Sequence, residues 1–316
     1  LYALTYIVLA GVLLSYLIIT KRISFHFAIS RVTRKFYKKI LALTAFVWSG
    51  GLVYNIANVF DSLVIASVLK NGMALLGVYS LAQNIASLIQ APQRGIIAAS
   101  IGPLSRAWKD KDLDKIRNIY KRSSINQLIF SVAMFALIVM NFDDGIYTFS
   151  LKPAYTLALP AFLFIGLWRI LDMGTGLNSQ IIATSTYWRF EFFTGMILLT
   201  LALPLNYFLT KSLGVIGPAI SNFIAFTVYN IIRGIFLWKK IKAQPFTIKS
   251  LYTLLLGIAS FAICYFLFRH YNGLHWIVMR SLVFLAIFIS GTVSLKLSPD
   301  VFHVIDVMRN RLRKII

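Results

Sequence analysis

Nine apolar runs of about 20 residues or more dominate this sequence, each long enough to cross the ~30 Å hydrocarbon core of a bilayer as a helix. They lie at roughly 1–20, 41–68, 73–101, 123–141, 153–173, 187–209, 213–238, 249–268 and 276–295. Backbone polar groups in lipid must be bonded internally, so a chain of such runs has one economical outcome, a bundle of membrane-spanning helices. Composition agrees: 59% hydrophobic and 13% charged residues, with a mean hydropathy of +0.77, lie far from soluble proteins. The expected fold class is an all-α polytopic membrane protein, one membrane domain in 316 residues.

Charge sets the topology. The formal charge is +22, with only ten acidic residues. Connections at 21–40, 102–122 and 239–249, with the tail from 296, hold twenty-three basic residues; those at 69–72, 142–152, 210–212 and 269–275 hold four. Lys and Arg mark the cytoplasmic side. Residue 1 is therefore expected outside and the C-terminus in the cytoplasm of a multi-pass protein. Anionic membrane lipids are expected partners of the basic face. Nucleic acid is not, because no soluble basic face is long enough. Within the inner connections, 102–122 reads as a short surface helix whose Trp108, Leu113, Ile116 and Tyr120 face the lipid boundary. Residues 21–40 read as an interfacial segment.

No metal or catalytic framework is evident. Cys264 stands alone in an apolar run, and His26, His270, His275 and His303 have no zinc-type spacing. Asp143 and Asp144 could invite a glycan-processing enzyme, but FDDG at 142–145 reads as a turn, and no sizeable outer loop accompanies it. The chain begins with Leu1 and enters an apolar run at once, which reads as truncation at the N-terminus, with no visible signal peptide.

The polar residues inside the apolar runs carry the functional reading, because such groups are costly in lipid unless they face protein or a wet cavity. On a helical wheel Trp48, Asn55, Asn58 and Ser62 share a face, with Asp61 at its flank. Tyr79, Gln83, Ser87, Gln90 and Arg94 fall within about 80° of one another on the next run. Asn222, Tyr229 and Arg233 share a side of 213–238, with Phe226 between them. The expected cavity residues are thus Asn55, Asn58, Asp61, Tyr79, Gln83, Gln90, Arg94, Asn222, Tyr229 and Arg233. Interhelical hydrogen bonding uses the same residue types and is the competing explanation for each amide. Asp61 could serve as a proton or cation site or pair within the bundle; Arg94 could meet a phosphate or snorkel to headgroups. Arg169 and Asp172, three apart, suit a helical ion pair, and Arg189 and Glu191 flank the next helix; these four read as inner-gate or structural charges. Pro92, Pro160, Pro204 and Pro218 can kink their helices.

The segment 52–103 resembles the seventh and eighth helices of bacterial polysaccharide-export flippases. These belong to the multidrug/oligosaccharidyl-lipid/polysaccharide superfamily, which has the MATE-like fold. The shared elements are Asn58 and Asp61, Gly77-Val78-Tyr79-Ser80, and Pro92 and Pro103. Residues 104–122 resemble the inner linker that follows, and WRILDMGTGLNSQIIATSTYW at 168–188 resembles the turn between helices ten and eleven. The resemblance implies that the nine runs correspond to helices 6–14 of a two-lobed protein. Residues 1–40 would be the last helix of the first lobe plus a basic linker, 41–245 the second lobe, and 246–316 two extra helices and a basic tail. Helices one to five would lie outside this chain.

The implied function is translocation of a polyprenyl-pyrophosphate-linked oligosaccharide across the bacterial inner membrane by alternating access. It needs no cofactor, with coupling to a proton or sodium gradient, and polysaccharide polymerase or assembly proteins as partners. Within the fold, the alternatives are a cation-coupled drug or metabolite antiporter and an exporter of the peptidoglycan lipid precursor. A membrane glycan-processing enzyme and a non-transporting scaffold are the alternatives of other classes.

Overall fold

The computed structural model describes residues 2–22 and 31–301; several side chains before residue 59, that of Asn58 among them, lie outside the description. Among the described residues the structure is helical and contains no strand. The chain divides into two units, Leu1–Val47 and Trp48–Ile316. The first holds α1 (Tyr2–Ile19), an apolar helix with exposed Ile7, Val12 and Leu13, and the opening turns of α2 (Arg31–Val68). Helix α2 starts ten residues before the predicted span at 41, so half of the predicted 21–40 linker is helical. Arg and Lys, half of residues 31–40, are good helix formers, and neither Gly nor Pro breaks the run.

The second unit continues with α3 (Gly72–Ser87), a 3-10 turn at Leu88–Gln90, α4 (Gln93–Lys109) and α5 (Leu113–Thr148). After a 3-10 turn at Pro153–Leu157 come α6 (Ala158–Gly174), the short α7 (Asn178–Ala183), α8 (Trp188–Leu213) and α9 (Ile216–Ile241). The hairpin of α10 (Ile248–Phe268) and α11 (Leu274–Ser294) completes it. Among the described residues seven helices are long and apolar enough to span a membrane, and two shorter apolar stretches, Ile7–Ile19 and Val59–Val68, fall in the remaining two predicted runs. The predicted run at 73–101 is not one helix. Pro92 lacks an amide hydrogen and its ring clashes with the preceding turn, so α3 ends at Ser87 and α4 begins at Gln93.

Helix α5 is the hub. Its 36 residues span about 54 Å, well beyond the hydrocarbon core, so its first turns protrude. Those turns are the segment expected to form a separate surface helix, and its predicted lipid-facing residues turn inward. Ile116 and Tyr120 are fully buried with Leu104, Leu177, Ile181 and Leu237, while Trp108 and Leu113 pack on the same cluster. Two causes act together. Asp112 caps the helix, its side chain accepting from the Lys115 amide at 2.9 Å, and the 109–112 connection folds α4 back onto α5.

Farther along, α5 packs on α6 through Phe135 and Phe162, stacked 5.7 Å apart. It carries the α10–α11 hairpin on another face, where Val132, Met140, Cys264, Phe284 and Phe288 form a separate apolar cluster. A Cβ added at Gly257 would lie 2.3 Å from Val132 Cγ1, so glycine there lets α10 approach α5 closely. Polar clasps close both ends of this interface. At one end Arg280 donates to Asp144 and, at 3.0 Å, to Asn141 Oδ1. At the other, Asn126 donates to Asp300 at 2.6 Å and Arg122 pairs with the same carboxylate. FDDG is therefore not a turn. It belongs to the last turns of α5, where Arg280 balances Asp144 and lets the helix run on to Thr148.

Candidate functional site

Two buried polar clusters lie inside the second unit, joined along one side of α9. The first is centred on Asp61, which is 1% exposed. Its carboxylate accepts from the Tyr79 hydroxyl at 2.9 Å, from Asn222 Nδ2 at 2.6 Å and from Asn206 Nδ2. Thr210 donates to Asn206 Oδ1 at 3.1 Å and orients that amide. Each donor comes from a different helix: α3, α9 and α8 converge on α2. The three donors are neutral, and the four ion pairs among the described residues do not include Asp61. A carboxylate in this setting has its lone pairs satisfied but its charge unbalanced.

Packing enforces the convergence. Gly217 lets α9 meet α8, since a Cβ there would lie 2.4 Å from the Leu209 backbone. Ser221 donates to the Ala202 carbonyl at 3.1 Å across the same pair of helices. Tyr79 is fully buried among Ile65, Ala82, Phe162 and Leu198, so its ring belongs to the apolar core and only its hydroxyl reaches the carboxylate. Gln83, one turn on, interacts with that hydroxyl.

Eight to eleven residues farther along α9, about 12–16 Å at 1.5 Å per residue, lies the second cluster. Asp172 accepts from Gln93 at 3.0 Å, Gln90 at 3.3 Å and Asn230 at 3.4 Å, and Arg169 donates to the Gln90 carbonyl. Asn230 Oδ1 in turn accepts from Thr175 at 3.0 Å and Asn178 at 2.8 Å. Beside it Arg233, 3% exposed, forms an ion pair with Glu191, and its guanidinium lies 3.6 Å from the Tyr229 ring centroid. Ser179 donates to the same glutamate at 2.6 Å. The loop that supplies Thr175 and Asn178 turns through Gly176 at φ +62°. A side chain there would be strained and would sit 3.0 Å from Ser123 Oγ and Ser124 N.

The predicted residues thus part company. Asp61, Tyr79 and Asn222 meet in the first cluster, and Gln90, Arg169, Asp172, Tyr229, Arg233 and Glu191 in the second. Asn55 and Arg94 are exposed, as are Trp48 and Ser87, so these residues lie outside both clusters. Arg189 is exposed, its guanidinium 5.3 Å from the Trp188 ring centroid. The side chain of Asn58 lies outside the described residues. The stripe drawn from Tyr79 to Arg94 is not one face, because the wheel assumes a continuous helix and the 3-10 turn at Leu88–Gln90 shifts the phase of everything after it.

Sequence reasoning missed Asn206, Thr210, Gln93, Thr175, Asn178, Ser179 and Asn230. Asn206 and Thr210 are a polar i,i+4 pair inside an apolar helix, and Asn222 and Asn230 lie eight apart on one face, so polar residues in lipid-length runs were the available signal.

No family model and no curated protein matches the sequence. Solved structures do. The lipid II flippase MurJ in an inward closed conformation superposes with a TM-score of 0.65 at 16% identity, covering 86% of this chain and 56% of that one. A MATE protein in complex with MaD5 gives 0.51 at 13% identity over 78% of this chain and 62% of its own. A MOP superfamily transporter from Pyrococcus furiosus gives 0.50 at 14% identity over 80% and 62%.

The chain shares its fold with MurJ and the MATE proteins. It is a multi-pass membrane protein that spans just over half the length of the MurJ flippase it matches. Both clusters are internal to the second unit, and the exposed residues of α3 and α4 lie outside them. Along α4 only Leu104 and Ala107 are buried, while Arg94, Gly95, Ala98 and Gly102 are open.

Proposed function

We propose that this chain supplies most of the second lobe of a transporter that moves a polyprenyl-pyrophosphate-linked oligosaccharide across the bacterial inner membrane by alternating access. The glycan would be an O-antigen, capsule or exopolysaccharide unit. Residues 41–245 would form the lobe, and 246–316 would add the α10–α11 hairpin and a cytoplasmic tail. The observation that carries this reading is the fold shared with the lipid II flippase MurJ over 86% of the chain. The open face of α3 and α4 supports it: Asn84, Ser87 and Arg94 are exposed there among small residues. Polar exposure at membrane depth calls for a wet cavity, and an amide, a hydroxyl and a guanidinium suit sugar and phosphate.

Asp61 is assigned a coupling role, taking up a proton or a sodium ion from the gradient. Its three neutral donors would hold the carboxylate in place while the ion comes and goes. The second cluster, with three donors on Asp172 and an ion pair between Glu191 and Arg233, fits a rigid spine at the inner end. The basic inner face would meet anionic lipids, and polymerase or assembly proteins would work beside the transporter. The MATE likeness, at TM-score 0.51, keeps a cation-coupled drug or metabolite antiporter as the second reading, and the buried Asp61 suits it as well.

Reconstitution tests the choice. Proteoliposomes carrying the full protein should flip a fluorescent polyprenyl-pyrophosphate oligosaccharide and show no gradient-driven efflux of cationic dyes. Dye efflux without lipid flipping would replace the leading reading by the second.

A further inference from the structure

A groove of about 380 Å³ lies on the surface of the second unit between α6, α9 and the connection from α9 to α10. Leu171 and Thr175 line it from α6 and its C-terminal cap, Ile231, Ile235 and Trp238 from α9, and Phe246 from the connection. Its lining on α9 runs from Thr227 to Trp238 at spacings of three and four, a straight strip of about 16 Å. That is half the ~30 Å thickness of the hydrocarbon core, the depth of one leaflet. Gly234 forms part of the floor, and a Cβ added there would have nothing within 4 Å. Ile231, Ile235, Trp238 and Phe246 remain 45–55% exposed along the walls.

The polar groups at the base are already satisfied, since Thr175 donates to Asn230 at 3.0 Å and Asn230 reaches Asp172. Thr227 likewise returns its hydroxyl to the Phe223 carbonyl at 2.5 Å, so apart from Gln244 in the connection the groove offers hydrocarbon along its length. Its mouth is different. Helix α9 ends in Lys239 and Lys240, and Lys242 follows in a left-handed conformation at φ 52°, its ammonium 5.9 Å from the Trp238 ring centroid. The acidic residue brought near is Asp114, and it pairs with Arg117, whose Nε donates to the Ile241 carbonyl at 2.9 Å. The mouth is positive. The Lys240 ammonium turns away, 5.4 Å from the Tyr187 ring centroid, so the strip, one leaflet deep, ends near the exposed Lys239 and Lys242 and complements an amphiphile with an apolar chain and an anionic head.

We propose that this groove binds an anionic glycerophospholipid of the leaflet next to the 239–249 connection. Its acyl chain lies along α9, and its headgroup phosphate sits at Lys239 and Lys242. The assignment rests on the membrane orientation in the proposed function, which puts this connection at the inner face. Because the groove backs onto Asn230 and Thr175, the lipid braces the Asp172 cluster from outside and is part of the folded lobe, not cargo.

The test uses the full protein, delipidated in detergent, with native mass spectrometry and thermal unfolding in phosphatidylglycerol or phosphatidylcholine. Phosphatidylglycerol should bind and raise the unfolding temperature, with phosphatidylcholine weaker in both respects. Gly234→Trp, which fills the floor, should abolish retention of the lipid. Ile231→Trp provides a second obstruction should the first variant not fold. Replacing Lys239 and Lys242 by Gln should weaken phosphatidylglycerol by about fivefold per lysine, the effect of one basic side chain at an anionic surface, and leave phosphatidylcholine unchanged. Equal binding of the two lipids by the wild type, or full retention in the Trp variants, overturns the proposal. So does displacement of phosphatidylglycerol by polyprenyl phosphate in the wild type but not in the Trp variants, which would give the groove to the substrate tail. None of these readouts involves transport, so their failure is distinct from failure of the flippase reading.

Discussion

Asp61 and Glu191 are acidic residues in apolar helices of the same bundle, and their surroundings are opposite. Glu191 faces Arg233 and Ser179, so its charge is matched. Asp61 faces a phenol and two amides, so its hydrogen bonds are matched and its charge is not. A matched buried pair has no reason to change state, because breaking it exposes both charges to a low dielectric. An unmatched carboxylate is the group whose charge an ion can change. On the function proposed above, the Arg233 side of α9 holds the helices together and the end where Asn222 meets Asp61 responds to the ion.

The largest expected effect tests the matched pair. Arg233→Ala leaves Glu191, whose side chain is 23% exposed, without its cation and should cost about 3 kcal/mol in equilibrium unfolding in detergent, the low end of the penalty for halving a buried pair. Adding Glu191→Gln should recover much of that loss. If the single variant unfolds like wild type, Arg233 is not part of a spine and the contrast collapses.

Next in size is the clasp of the α10–α11 hairpin. Arg280→Ala strands Asp144 and Asn141 and should cost about 2–3 kcal/mol, read as early loss of α10–α11 protection in hydrogen exchange. Uniform loss of protection over the whole chain would show instead that the hairpin and the lobe unfold together.

The sharpest test is Asp61→Asn. It keeps the shape, removes the charge and turns one acceptor oxygen into a donor, so stability should fall by about 1–2 kcal/mol for the donor left unpaired while gradient-driven transport is lost. A destabilisation as large as that of Arg233→Ala would make Asp61 structural and erase the difference between the two acids.

The smallest structural effect belongs to the open face. Arg94→Gln touches neither cluster and should shift stability by less than about 0.5 kcal/mol, yet lower surface glycan in a complementation assay at equal expression. Wild-type glycan would remove Arg94 from the substrate path.

The spans themselves were legible because lipid-length apolar runs admit few other structures, and α6, α8, α10 and α11 fall close to their predicted runs. The individual polar residues were legible for the same reason, since each stands out in its run. Helix breaks were not, as at Pro92, because proline also occurs inside kinked helices and the choice between kink and break depends on what packs around it. Nor was the fate of FDDG, whose helical state depends on Arg280, far away in sequence.

By itself, then, the sequence determined an all-helical membrane chain, its charge asymmetry, and a short roster of polar residues that had to be sheltered. Only the tertiary structure decided which of them meet. Tyr79, Asn206 and Asn222 lie 18, 145 and 161 residues from Asp61, on three further helices. Helical periodicity says which residues share a face. It does not say which faces touch, because that follows from close packing at positions such as Gly217 and Gly257, where the absence of a side chain brings two helices together.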